Sequence, residues 1–319
     1  MNRFAIGVVT ALAGAASWGF SASCMQYMFA NCGAPVMFVA AFRMLVAGAL
    51  FTVGLLALRR EALLALLHDA PSMRRVVVFG LIGLFVCQVT YMIAIEYTNA
   101  GTATVLQASN VVIVLFISCW SARRAPRALE CLAVGLALFA TVLIATKGDF
   151  GTLHVPAPGL FWGLVSAVAV AFYVYYPKPL FDRWTSPPVT ALGMLVGGGA
   201  GLVCLLAEEL LGLGGGGAAF SWLADIDATG WLVMLLIAVV GTLGAFGLFL
   251  YGVSIIGSVK GSLLGTVEPA SAAIIAATWL GTAFTWADWV GLALMIATVF
   301  IVSLQGAREQ QAAPVGRGA

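Results

Sequence analysis

Residues 34–58 read APVMFVAAFRMLVAGALFTVGLLAL and stop at Arg59 and Arg60. A hydrocarbon layer about 30 Å thick is crossed by roughly 20 apolar residues rising 1.5 Å each in a helix. This run is long enough, carries one charge inside it, Arg43, and ends on two more. It is continuously apolar, whereas a barrel strand alternates, so it predicts a membrane-crossing helix.

Nine further runs share this character: 4–29, 75–95, 99–119, 128–146, 158–180, 188–208, 230–255, 259–281 and 285–304. Only 9% of the residues are charged against 62% hydrophobic, and mean hydropathy is +1.06. A soluble domain carries about 25% charged residues. The fold expected is an all-α integral membrane bundle of ten transmembrane helices. The first run is too long for a signal-peptide core and lacks a small-residue cleavage site, so it is read as retained.

Lys and Arg then fix an orientation, because cytoplasmic connections carry their excess. With the N-terminus inside, the inner connections hold Arg3, Arg59, Arg60, Arg74, Arg75, Arg123, Arg124, Arg127, Lys178, Arg183, Lys260, Arg308 and Arg317. The outer connections hold Lys147 alone. Both termini are therefore expected in the cytoplasm, and the chain in the inner or plasma membrane.

The chain also repeats itself faintly. A shift of 153 places Pro35 on Pro188; a shift of 158 places Gly83 on Gly241 and Thr98–Val111 on Ile256–Pro269. Five spans per half is odd, so consecutive halves face opposite ways across the membrane. Two inverted five-helix repeats are predicted, 1–150 and 151–307, followed by a disordered cytoplasmic tail at 308–319. Inverted repeats recur in carriers, whose substrate sites lie near the midplane between the halves.

Several local motifs resemble the drug/metabolite transporter superfamily, in its ten-span branch of paired EamA-type units. They are Ala-Ser-Trp-Gly at 16–19, Phe42-Arg43, Leu-Gly-Thr-Val-Glu-Pro-Ala at 264–270, Trp-Leu-Gly at 279–281 and Gly291. Two positions depart from that pattern: Gln-Ala-Ser-Asn at 107–110 lacks a proline, and Thr282 stands where an acidic residue is common. The resemblance implies a secondary carrier for small metabolites, often one that exports amino acids.

Charge deep in hydrocarbon costs about 2.5–3.5 kcal/mol or more, so it is rare and faces a cavity or a partner. Arg43 and Glu268 are so placed. Glu268 precedes Pro269, which removes a backbone donor and frees carbonyls. Its carboxylate suits a substrate amine or a proton; the alternative is a hydrogen-bonded Glu that fixes a kink. Arg43 suits a substrate carboxylate, which a guanidinium meets with two parallel hydrogen bonds. It can equally be a structural partner of Glu268 or of helix carbonyls. Trp18, Gln88, Tyr91, Gln107, Asn110, Tyr173 and Tyr251 lie at depths away from the interfaces and complete a candidate substrate-binding set. Gln88 with Tyr91, and Gln107 with Asn110, are spaced to share a helix face. Such groups can line a cavity or hydrogen-bond between helices.

His68 and His154 both lie in connections, and the six cysteines show no metal-like spacing, so no metal, cofactor or catalytic group is indicated. Connections this short hold no nucleotide-binding domain, and no nucleic-acid partner is expected. The reading is a secondary transporter moving a small amphipathic, amino-acid-like metabolite outward by alternating access, within membrane lipid. Uptake of such a solute, or export of drug-like cations with or without proton coupling, is the alternative. Oligomeric state stays open.

Overall fold

The structure is a computed structural model that describes residues 3–121, 123–212, 220–256, 261 and 264–312, the side chains of Ser118 and 302–312 aside. Lys260, Arg317 and Gly257 lie outside the described residues. Among the described residues every regular element is helical, as lipid requires of a chain that must satisfy its own backbone.

Among the described residues, eight helices are long and apolar enough to cross a membrane: α1 (Arg3–Cys32), α2 (Val36–Leu58), α3 (Ala70–Tyr97), α4 (Ala100–Ser121), α5 (Ala128–Thr146), α6 (Ala157–Trp184), α7 (Ser186–Leu210) and α8 (Ala228–Ile256). Two more helices follow, the 13-residue α9 (Val267–Trp279) and the 27-residue α10 (Trp286–Ala312), whose apolar stretch is the shorter Trp286–Ile301. Because α10 reaches Ala312, residues 308–312 of the expected tail continue a helix.

The sequence reading set the third span at 75–95, but α3 begins at Ala70. Asp69 caps it by accepting the Ser72 N–H at 3.1 Å, and Pro71 sits in the first turn. Hydrogen bonds from Ser72, then the nearby Arg183 guanidinium, hold the Asp69 carboxyl below the usual carboxylate range. The preceding connection is not plain loop. Arg60–His68 forms an amphipathic helix with Leu63 and Leu66 buried and its charges outward.

Small residues set how the helices pair. α2 runs along α7, where a Cβ on Gly198 would lie 2.9 Å from the Leu45 backbone nitrogen. α1 packs against α8 and α9, while α6 packs against α3 and α4. α4 also meets α9, and α5 lies along α10. The Lys147 ammonium joins that last pair to Asp288 at 2.8 Å.

Among the described residues, α6 turns at Tyr176–Pro177 near its end, and α3, α4 and α8 are irregular nearer their middles. α3 is π-helical over Phe79–Val86 and α8 over Val239–Gly244; α4 breaks at Ser109. A π-turn inserts one residue, which rotates the following side chains and loosens carbonyls, often at functional positions.

Candidate functional site

Two adjoining cavities lie beside the irregular stretches of α3 and α4. The first, of about 200 Å³, is walled by Trp18 and Met25 of α1, Arg43 of α2, Cys87, Gln88 and Tyr91 of α3, Tyr173 of α6, Phe246 of α8 and Glu268 of α9. The second, about 330 Å³, lies among α4, α9 and α10 and is lined by Asn110, Thr266, Pro269, Met295 and Val299. Gln107, Val170 and Glu268 line both, so the two spaces adjoin across these three residues.

Arg43 is only 5% exposed and is held from three helices. Its Nε donates to Thr242 Oγ1 at 2.8 Å and one terminal nitrogen to Gln88 Oε1 at 3.1 Å. Weaker contacts of 3.5 Å reach Met25 Sδ and the Gly241 carbonyl. The α8 π-turn makes this possible. Thr242 donates its own hydroxyl to the Ile237 carbonyl five residues back at 3.0 Å, which aims its oxygen at α2. The charge is thus desolvated but hydrogen-bonded, as burial demands.

Glu268 differs. It faces the same cavity as Arg43 without forming an ion pair, and among the described residues its carboxylate accepts no hydrogen bond. It occupies the first turn of α9, where the helix dipole favours negative charge. The neutral polar groups are satisfied locally. Tyr91 hydrogen-bonds Thr104, Gln107 donates to Ser166 Oγ at 2.6 Å, and Asn110 donates back to the Gln107 carbonyl at 2.8 Å. Trp18 packs edge-on to Phe246 at 5.0 Å, and Tyr173 stacks on Phe79 at 5.7 Å.

Seven of the nine residues expected at the site, Trp18, Arg43, Gln88, Tyr91, Gln107, Tyr173 and Glu268, line the first cavity. Asn110 lines only the second. Tyr251 is a correction: it is 56% exposed and lines neither cavity. It lies five residues beyond Phe246, roughly 140° around the helix, so it faces away from the cavity that Phe246 lines. Met25, Cys87, Phe246 and Thr242 were missed. Met25 follows Trp18 by seven residues and shares its helix face, a legible signal; Phe246 and Thr242 depend on the π-turn. Among the described residues no group of His, Cys, Asp and Glu is arranged to hold a metal ion.

The model of the EamA-like transporter family matches residues 5–146 and again 157–304. The uncharacterized inner membrane transporter YicL of Salmonella typhimurium strain LT2 is 31% identical over 307 residues, spanning 96% of this chain and 98% of that protein. A solved crystal structure superposes with a TM-score of 0.62 over 99% of both chains at 16% identity, a likeness that shows the fold alone.

Proposed function

The chain belongs to the EamA-like transporter family of the drug/metabolite transporter superfamily, and we propose that it is a secondary carrier exporting a small amphipathic, amino-acid-like metabolite across the inner membrane by alternating access. One observation carries the substrate class. A single cavity holds a buried guanidinium, Arg43, and a carboxylate, Glu268, that has no hydrogen-bond partner among the described residues, beside the rings of Trp18, Tyr91, Tyr173 and Phe246. A zwitterion with an apolar body meets both charges and the rings together.

The ten-span, two-repeat organisation is part of the same proposal, with halves 1–150 and 151–307 and both termini cytoplasmic. Several observations support it. The family matches each half separately. The packing of α1 on α8 and α9 is exchanged for that of α6 on α3 and α4 when the halves are interchanged. The π-turns end at Val86 and Gly244, 158 residues apart, the same shift that aligns the Ser109 break with Val267, the first residue of α9. The basic residues on alternate connections support the orientation. In this scheme substrate moves between the two cavities past Glu268, and closing one face of the bundle accompanies opening of the other.

A second reading has its own support. Most Arg43 donors are already engaged by Thr242, Gln88, Gly241 and Met25, which leaves Glu268 as the uncommitted charge and favours a drug-like cation. With Glu268 also open to a proton, export then couples to proton entry.

Thermal stabilisation of purified protein by a panel of amino acids and organic amines tests both, since a ligand at a hundred times its Kd stabilises by about 2.7 kcal/mol. Amino acids are expected to raise the midpoint in wild type and to fail in Glu268→Gln and in Arg43→Ala. Stabilisation by plain amines that survives Arg43→Ala selects the cation reading. Hits that persist in both variants place the ligand elsewhere and overturn both.

A further inference from the structure

A tie between the two halves sits away from both cavities. Gln26 lies on α1 eight residues beyond Trp18, about 12 Å further along the helix. Its carbonyl accepts the Ala100 N–H at 2.8 Å, a first-turn donor of α4 that no helix carbonyl can satisfy. Its amide nitrogen donates to Thr282 Oγ1 at 2.9 Å, in the connection between α9 and α10.

Thr282 is held in place by the cap that ends α9. Gly281 adopts φ +62° and the Thr282 N–H reaches back to the Ala276 carbonyl at 3.1 Å. One turn earlier, Trp279 stacks flat on Tyr27, the neighbour of Gln26, with ring centroids 5.5 Å apart. Gln26 and Ala100 belong to the first family match, Thr282 to the second. From Glu268 to Trp279 is about 17 Å along α9, so the tie is at one end of the helix and the cavities are at the other.

We propose that Gln26 and Thr282 form a latch that holds this face of the transporter closed, and that it must open for the cavity to reach that side. The proposal rests on the alternating-access reading. Opening separates α1 from the start of α4 and from the α9 cap, which breaks both amide bonds and the Tyr27–Trp279 stack. The amide makes both bonds at once, so removing it shifts the balance between states and leaves the cavity residues intact. Gln26 and Thr282 are positioning residues; neither lines the cavities.

Cys87 lines the first cavity and reports access to it. With the other five cysteines replaced by alanine, its modification by a membrane-impermeant methanethiosulfonate is timed in right-side-out and inverted vesicles. Gln26→Ala is expected to raise the rate from the Gln26 face by roughly three- to tenfold and lower it from the opposite face. Thr282→Val should act in the same direction, and Thr282→Ser should restore the wild-type rates. Thr282→Val serves alone if Gln26→Ala does not fold. Wild-type labelling from both faces with rates unmoved by either substitution overturns the latch and leaves alternating access standing. Labelling of wild type from one face only, unaffected by substitution, removes alternating access and the latch with it.

Discussion

α4 and α9 are interrupted at matching places, and what surrounds the two interruptions differs. In α4 the break at Ser109 is closed by its own neighbours: Gln107 bonds Ser166 of α6, and the Asn110 amide folds back onto the Gln107 carbonyl. At the start of α9 the matching position is Glu268, whose carboxylate has no partner among the described residues, followed by Pro269, which has no N–H to give. The backing differs too. A Cβ on Gly19 of α1 would lie 2.5 Å from the Glu268 carbonyl oxygen, backbone against backbone. On the other side, a Cβ on Gly163 of α6 would crowd the buried Leu106, with Cδ1 at 2.7 Å and Cβ at 2.9 Å, a side chain rather than a neighbouring backbone. One backbone device thus serves twice, as a neutral wall in the first half and as a rigidly backed charge in the second.

The largest expected effect comes from exchanging charge for amide. Glu268→Gln keeps the shape and removes a charge-assisted contact of about 1.5–3 kcal/mol, roughly a ten- to 150-fold loss of substrate affinity. Flux into proteoliposomes should collapse while the thermal midpoint holds. Asn110→Ala, at the matching position, should leave flux within a few-fold of wild type. Equal losses at both positions would make the two interruptions functionally alike and dissolve the distinction.

Next in size is the backing of each break. Gly19→Ala drives a methyl into the α9 backbone and is expected to cost about 1–3 kcal/mol of stability by overpacking, with flux reduced because Glu268 is displaced. Gly163→Ala crowds the buried Leu106 side chain but no facing backbone, and should cost less if that side chain can shift with its helix. Calorimetric midpoints of the two variants, measured in the same detergent, decide whether α1 is the stiffer support.

Much of this was legible in the sequence, for reasons particular to each element. The apolar runs announce their helices because hydrocarbon leaves the backbone no other partner. Glu268 and Arg43 stand out because charge in such runs is rare. Gln88 with Tyr91 followed from helical spacing within one segment. The π-turns have no local signature, and each adds a residue that changes which face points inward beyond it. Arg43 is therefore recognisable as a buried charge while its partner Thr242, 199 residues away on a π-turn, is not. Arg60–His68 was hidden for the opposite reason: its charges mark a connection, and two buried leucines in nine residues are too few to announce a helix against them.

The smallest effect probes the neutral break most directly. Gln107 borders both cavities, as Glu268 does, yet its amide is already engaged with Ser166 at 2.6 Å. If the first interruption is only a wall, Gln107→Leu removes one interhelical hydrogen bond, worth about 0.6 kcal/mol within a membrane. The thermal midpoint should then fall slightly and flux stay within about threefold of wild type, which is what 0.6 kcal/mol amounts to. A collapse of flux at an unchanged midpoint would mean that the amide leaves Ser166 to meet the substrate. Charge alone would then no longer separate the halves. The first break would be a second ligand contact, kept satisfied by α6 until substrate arrives.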